Sequence, residues 1–334
     1  MDDGTVGFEA IRKAYGLAHD THACHVSERV WRLRGPDGGV AIKLYAMEHG
    51  ARAQKEAAIL AHLQTHGDAR FRVQVLQRTV DGESTWTGRD AHALMTRWIT
   101  GQSRTYDTFA PAEWTALGAS LAALHVSLDQ LVLPALDTIG ARLAAIDADE
   151  ACRNLTALAR RAPPEDDPRN LRAYVDACLR MIDAHYPGSI EAFPADDPQH
   201  PIHNDYNQFN YLFDGALPPV IVDWEAAIGA PREYEVVRCL NHLPLEAPEL
   251  AACFLRGYLQ VRPLRADSMP WAVDAASLQH ALKRWMWDGW RHDPARFAAH
   301  LHGAMKMVAA LAGARGRLIE FFTRCVEAAH GPGY

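Results

Sequence analysis

The chain has 334 residues, enough for one large domain or two modest ones, each with a real core. Its hydrophobic fraction of 49% is ordinary, and its formal net charge of −7 argues against a general nucleic-acid binder and against docking on an anionic membrane surface. That balance leaves room for a cationic substrate. The cysteines (Cys24, Cys152, Cys178, Cys239, Cys253 and Cys325) form no C-x-x-C pair. Their spacing suggests neither a disulfide framework nor a zinc site and fits a reducing compartment. The opening MDDGTVGFEA lacks a basic segment followed by an apolar one, and no apolar run is long enough to span a bilayer. A cytoplasmic protein is expected.

Residues 1–97 read as strand-rich. FEAIRKAYGL is a short amphipathic helix, and RVWRLRG and GVAIKLY are β-prone runs joined by GPDGG, a hairpin signal. ARAQKEAAILAHLQTHG has helical spacing and ends at Gly67, a candidate C-cap. FRVQVLQRTV, the turn DGE and AHALMTRWI follow as further strand. Residues 98–334 are mainly helical. APAEWTALGASLAALHVSLDQL starts a long helix near Ala110–Glu113, RRAPPEDDPRN reads as an exposed loop, and NLRAYVDACLRMIDAHY is another helix. From residue 232 onward nearly everything is helix-prone. No internal repeat and no heptad pattern occur.

One polar island interrupts the helical part, PIHNDYNQFNYLFDGALPPVIVDWEAA at 201–227. His203, Asp205 and Asn210 are spaced H-x-D-x-x-x-x-N. Asp223 follows the apolar VIV, and Glu225 comes two residues later. An Asp on a loop, an Asn five residues on, and an Asp after a hairpin can converge on one point. Hard divalent cations such as Mg²⁺ take oxygen ligands of this kind, few from the protein and the rest from phosphate and water. A neighbouring carboxylate can take a proton from a hydroxyl. Phosphates so held also need a cation. VAIKLY offers Lys43 on a strand, and the following helix offers Glu56 to keep it charged and aimed. Taken singly, each of these residues has an ordinary structural reading: an edge lysine, a surface ion pair, loop and cap residues.

Together, VAIK at 40–43, Glu56, HNDYNQFN at 203–210 and VDWE at 222–225 resemble the aminoglycoside phosphotransferase and choline kinase family. The likeness extends over nearly the whole chain. HALMTRWITGQ resembles the strand and hinge that contact adenine, LGASLAALH the helix that opens the family's helical lobe, and FLRGYLQVRPL a helix common among its members. The resemblance implies an α+β, two-lobed protein-kinase-like fold with a small β-rich N-lobe (1–97) and a large helical C-lobe (98–334). It implies Asp205 as catalytic base, Asn210 and Asp223 as Mg²⁺ ligands, Lys43 on the α- and β-phosphates, and Glu56 positioning Lys43. His203 would brace the catalytic loop. Met95, Arg97, Trp98 and Ile99 would bind the nucleotide, with the backbone of 95–99 reading the purine edge. The implied cofactors are ATP and Mg²⁺, and the implied partner is a small hydroxylated acceptor. A monomer or loose homodimer is expected, with Thr100 and Gly101 as a hinge.

The chain departs from the pattern in places. Asn204 stands between His and Asp where Gly or Arg is usual, and Asn tolerates a left-handed backbone. DWE replaces DFG, which favours the small-molecule branch. No G-x-G-x-x-G precedes the first strands; AHDTHACHVSERVW occupies that place, with Thr21 and Ser27 as candidate phosphate contacts. Trp285, Trp287 and Trp290 read mainly as core, one of them with Asp288 being a candidate for an acceptor pocket. One of Glu233 and Glu235 reads as a carboxylate that binds a Lys or Arg and ties the next helix down, a structural role, and His125 reads as a core histidine. Two other functions fit parts of the pattern: a nucleotide-binding pseudokinase acting as scaffold or sensor, and a metal-dependent hydrolase.

Overall fold

The structure, a computed structural model, describes residues 8–18, 21–35, 39–133, 136–160, 168–185, 197–215 and 218–329. The tip of the GPDGG turn and most of RRAPPEDDPRN lie outside these. In chain order the elements are α1 (Phe8–Ala14), β1 (His22–Ser27), β2 (Val30–Arg34), β3 (Val40–Ala46), α2 (Gly50–Thr65), β4 (Arg72–Val73), β5 (Leu76–Gln77), β6 (Trp86–Thr87), β7 (Ala91–Arg97) and α3 (Pro111–Leu128). Then come α4 (Ile139–Ala144), α5 (Ala148–Ala159), α6 (Pro168–His185), β8 (Pro201–Ile202), β9 (Tyr211–Leu212), β10 (Val220–Ile221), β11 (Ile228–Gly229) and α7 (Arg232–Leu240). The chain closes with α8 (Leu243–Glu246), α9 (Pro248–Leu259), α10 (Met269–Ala281), α11 (Arg284–His292), α12 (Pro294–Leu311) and α13 (Arg315–Ala329). This is an α+β chain, β-rich at its start and helical at its end.

Two compact units emerge. The first takes residues 1–109, 123–134 and 205–227; the second takes 110–122, 135–204 and 228–334. The first unit is built on an antiparallel sheet ordered β1-β2-β3-β7-β5, with β6 also on β7. Strand alternation splits the faces of β3 and β7. Ile42, Ala93 and Met95 form a core with Leu33, Ile11 and Tyr15, so α1 covers that face. Lys43 and Tyr45 stand on the other face, toward α2, where both meet Glu56. A smaller sheet, β4-β10-β9, pairs β10 parallel to β4 and antiparallel to β9. Its hairpin brings Val222 onto Asn210, N–H to carbonyl at 3.1 Å, so both candidate metal ligands sit at one end of it.

The second unit packs α5, α6, α10, α11 and α12 around Leu155, Tyr174, Cys178, Met286, Trp287, Trp290 and Val308. Trp287 and Trp290 are core, as expected. Trp285 is exposed, and Asp288 is held by Arg284 at 3.4 Å and by Arg291. The helix-prone run AASLQHALKRWMWDGW is broken at Leu282–Lys283. The end of α10 is buried there, and its Ala281 carbonyl accepts from Tyr174 Oη at 3.4 Å and Cys178 Sγ at 3.6 Å, which satisfies an orphan acceptor. Gly313, with φ +75°, divides α12 from α13. Gly67 does not take the left-handed cap expected of it: α2 stops at Thr65 and His66 closes the last turn. The cysteines are all free.

Two glycines from the sequence motifs meet in this unit. A Cβ on Gly118 of α3 would lie 1.9 Å from the Phe254 carbonyl oxygen, and one on Gly257 of α9 would lie 1.9 Å from that of Thr115. The helices cross backbone against backbone, so a methyl group forces them apart. Gly118→Ala should cost about 2 kcal/mol or more in urea denaturation. A loss within experimental error would show that the crossing can relax.

Candidate active site

The site lies within the first unit and is organised by one buried ammonium. Lys43 Nζ is 2.9 Å from Glu56 Oε2, 2.6 Å from Asp223 Oδ1 and 3.2 Å from Glu225 Oε2. Burial pulls the Lys43 pKa down, but Glu56, Asp223 and Glu225 more than offset this and hold it well above the ordinary lysine value. Glu56 is 1% exposed and also accepts from Tyr45 Oη and, at 3.4 Å, from the Trp224 amide. Lys55 of α2 donates to the Ala227 carbonyl at 2.6 Å. The helix that carries Glu56 is thus tied to the segment that carries Asp223. Arg29, in the turn between β1 and β2, donates to Glu225 Oε1 at 2.7 Å. Burial raises the Glu225 pKa, yet Arg29 and Lys43 outweigh it and keep the group below its ordinary value.

Asp223 adopts φ +66°, ψ +67°, a left-handed conformation that Asp reaches more readily than most residues. Strain of this sort, held by surrounding bonds, is often found at sites of chemistry. Asp205 has both carboxylate oxygens engaged: Oδ1 accepts from Asn207 Nδ2 at 2.9 Å and Oδ2 from Asn210 Nδ2 at 2.8 Å. Asn210 Nδ2 also reaches the Asp205 carbonyl at 2.8 Å. These donors fix the direction of the carboxylate and leave the Asn210 carboxamide oxygen for another partner.

The chain just before Asp205 is braced in the second unit. His203 is fully buried. Asn204 adopts φ +63°, the left-handed backbone expected of it. Its amide donates to Glu235 Oε1, its carbonyl accepts from Arg238 Nε at 2.9 Å, and its Oδ1 lies 3.5 Å from Tyr234 Oη. Glu235 Oε2 accepts from the His203 amide at 3.1 Å. Arg232 and Arg238 lie close enough to act on the Glu235 charge, and Arg262 on that of Glu233, but both carboxylates also hold backbone amides. Glu235 holds two loop amides, and Glu233 accepts from the Arg265 amide at 2.8 Å. Burial pushes Glu235 up to about 7, with the two amides and the nearby Arg232 and Arg238 pulling the other way.

A pocket of about 810 Å³ opens beside Lys43, within the range of small-molecule sites. Lys43, Glu56, Asn210 and Asp223 line it, as do Arg97, Trp98 and Ile99. Met95 does not: it is 1% exposed in the sheet core, and alternation turns Leu94 and Thr96 to the pocket in its place. Thr21 is likewise elsewhere, bonded to Arg12 at 2.9 Å. Ser27 does line the pocket, together with Glu28 and Arg29 of the β1–β2 turn. The segment expected as a phosphate loop is therefore an edge strand and a two-residue turn. Its largely exposed residues, without an apolar period, hid the strand. Sequence reasoning also missed Tyr45, Gln74, Asn207 and Gln102. Gln102 exchanges two backbone hydrogen bonds of 2.9 Å with Phe213, next to the expected hinge. Only Asn207, two residues from Asp205, carried a local signal.

The residues fit a divalent cation. Glu56, Asp223 and Glu225 bring carboxylate oxygens within 4.8 Å of one another. All three already contact Lys43 Nζ, so the oxygens that suit a cation are those that Asp223 and the Asn210 carboxamide turn to the pocket. Glu225 Oε2 is buried without an aligned hydrogen bond, although it is ion-paired with Lys43. Three carboxylates face two cations, Lys43 and Arg29, which leaves a net negative charge, and every candidate donor is oxygen.

A strand lysine joined to a helical glutamate, with an Asp–Asn loop and a second Asp after a hairpin, is the arrangement of a protein-kinase-like phosphotransferase. The chain belongs to the phosphotransferase enzyme family, whose model it matches over residues 25–271. Over 181 residues it is 28% identical to the homoserine kinase of Methylocella silvestris, an alignment that takes in 52% of the chain and 51% of that protein. The chain thus spans about half the length of the curated relative it matches. Its fold is similar to that of an aminoglycoside phosphotransferase from Alicyclobacillus acidocaldarius, at 17% identity over 98% of both chains with a TM-score of 0.65. It is also similar to amicoumacin kinase hAmiN, solved in complex with AMP-PNP, Ca²⁺ and Ami, at 14% identity over 92% of this chain and 93% of that one, TM-score 0.65. Among the described residues, no helix is long and apolar enough to cross a membrane.

The Glu235 brace has a consequence for stability. A carboxyl whose pKa is about 7 when folded and near 4.5 when unfolded binds more protons in the folded state between those values. Its contribution therefore falls as pH rises through that window and is level above it. The stability advantage of the wild type over Glu235→Gln should shrink from pH 4.5 to 7 in urea denaturation at stepped pH. A gap that is constant across the window would show that Glu235 does not titrate there.

Proposed function

We propose that this protein is an ATP-dependent O-phosphotransferase that phosphorylates a hydroxyl of a small molecule, an antibiotic, an amino alcohol or a sugar. The observation that carries the reading is Lys43 Nζ bonded at once to Glu56, at 2.9 Å, and to Asp223, at 2.6 Å, on the wall of the 810 Å³ pocket. Lys43 holds the nucleotide phosphates and Glu56 keeps it aimed. Asn210 and Asp223 would hold Mg²⁺, whose part when bound is to offset charge on the phosphate oxygens. Asp205, oriented by Asn207 and Asn210, takes the proton of the acceptor hydroxyl. Rate acceleration in such chemistry comes mainly from positioning and charge neutralisation.

The base would meet the segment Arg97–Ile99. The amides of Arg97 and Trp98 already donate to the carbonyls of Val75, at 2.8 Å, and Gly39, at 3.1 Å, so the purine edge is left to other backbone groups there, the Ile99 amide among them. Relatives named for homoserine, aminoglycosides and amicoumacin support a small hydroxylated acceptor, and the acidic balance of the chain is compatible with an amine on it. The reading carries with it a cytoplasmic protein that works as a monomer or loose homodimer.

The test is ATP consumption across a panel of hydroxylated acceptors. Asp205→Ala should lower kcat by about three orders of magnitude with little change in nucleotide affinity, because its work lies in the transition state. Lys43→Met should lower kcat and weaken ATP binding together. Turnover that survives in the double variant would sink the proposal. ATP binding without turnover of any acceptor would point instead to a pseudokinase.

A further inference from the structure

One polar group in the pocket has no part in the reading above. Gln74 lies between β4 and β5, where the chain passes from the smaller sheet to the main one. Its backbone carbonyl accepts from Gln64 Nε2 at 3.2 Å, and its own Nε2 donates to Thr96 Oγ1 at 3.4 Å. Its Oε1 is buried and has no hydrogen-bond partner among the described residues. Gln74 and Thr96 both line the pocket, and Thr96 is 2% exposed. A buried carbonyl oxygen without a donor is costly, so its retention in a ligand pocket points to a donor on the ligand.

We infer that Gln74, oriented by Thr96, accepts from the exocyclic amine of the purine and makes the pocket select adenine over guanine. The inference rests on the nucleotide reading given above. Val30, Ala41, Leu94, Leu212 and Val222 give the pocket an apolar lining that suits either purine. Backbone groups along 97–99 include both donors and acceptors, so they discriminate poorly on their own. At C6, however, adenine presents an amine and guanine a carbonyl oxygen. Thr96 immediately precedes the Arg97–Ile99 segment on β7, so a base whose edge meets that segment brings its C6 substituent toward Thr96 and Gln74. With one N–H of Nε2 given to Thr96 and the carboxamide so oriented, Oε1 faces the guanine oxygen lone pair to lone pair and accepts an N–H from adenine. A bridging water is the other partner that Oε1 could have, and it would not distinguish the bases.

Calorimetric titration of the full chain with ATP, GTP and ITP, each with Mg²⁺, tests this. Wild type should bind ATP about tenfold or more tightly than ITP or GTP. ITP separates the 6-oxo group from the 2-amino group of guanine. Gln74→Met, close in size and without the carboxamide, should weaken ATP about tenfold and leave GTP and ITP within about twofold. Its melting temperature and its binding of Mg²⁺–tripolyphosphate, which occupies only the phosphate half, should match wild type. A variant that keeps the wild-type ATP-to-GTP ratio overturns the inference. So does a wild type that binds ITP as tightly as ATP, a result that needs no variant to fold. Failure of wild type to bind any purine nucleotide would overturn the nucleotide reading beneath it, which the other outcomes leave standing.

Discussion

The first unit is organised around a charge that could not stay buried alone. Taking an ammonium out of water favours loss of its proton, and Lys43 keeps its own because three carboxylates surround it. Each of those carboxylates needs the cation in turn. Glu56 is nearly inaccessible and accepts from Tyr45 and the Trp224 amide as well, so β3, α2 and the turn after β10 are joined at one carboxylate. Arg29 extends the network into the β1–β2 turn. Replacing a single member leaves its partners desolvated without compensation, which is more damaging than removal of the whole set.

One candidate metal ligand, Asp223, and the residue just before the candidate base, Asn204, sit on backbone that few residues would adopt. Asn204 and Asp223 both have positive φ, and both are residue types with short polar side chains that lower the penalty. Surrounding groups hold these conformations. The amide, carbonyl and Oδ1 of Asn204 each have a partner on α7, and Asp223 is gripped by Lys43 on one side of the turn while Trp224 donates to Glu56 on the other. Helix α7 has few lines of sequence evidence for such a role, because Glu235 acts through amides, which leave no pattern of their own.

Much was legible before any coordinate. The α+β order, the helix over Pro111–Leu128, the core placement of Trp287 and Trp290, and the free cysteines follow from period, capping residues and spacing. That Lys43, Glu56, Asn210 and Asp223 line one pocket was legible because the phosphate and metal chemistry proposed for them asks for particular residue types in a particular order. Met95 was misplaced because both strand neighbours, Leu94 and Thr96, are buried like it, so the run offers no exposed-to-buried alternation to say which face a side chain takes. Strand β1 was missed since an exposed edge strand needs no apolar period, and the break between α10 and α11 was missed since buried side chains, not Gly or Pro, satisfy its carbonyl end.

Sequence by itself therefore determined the chemistry on offer: a cation on a strand, an acid on a helix, and carboxylates and carboxamides on a loop and hairpin, since residue type sets what a side chain can donate, accept or bind. Tertiary structure alone decided which of them share a partner. It brought Arg29 to Glu225, the amides of His203 and Asn204 to Glu235, and Gln74 to Thr96 with one oxygen left over. Pairings of that kind depend on distance and on the direction of single bonds, and linear spacing along a chain encodes neither.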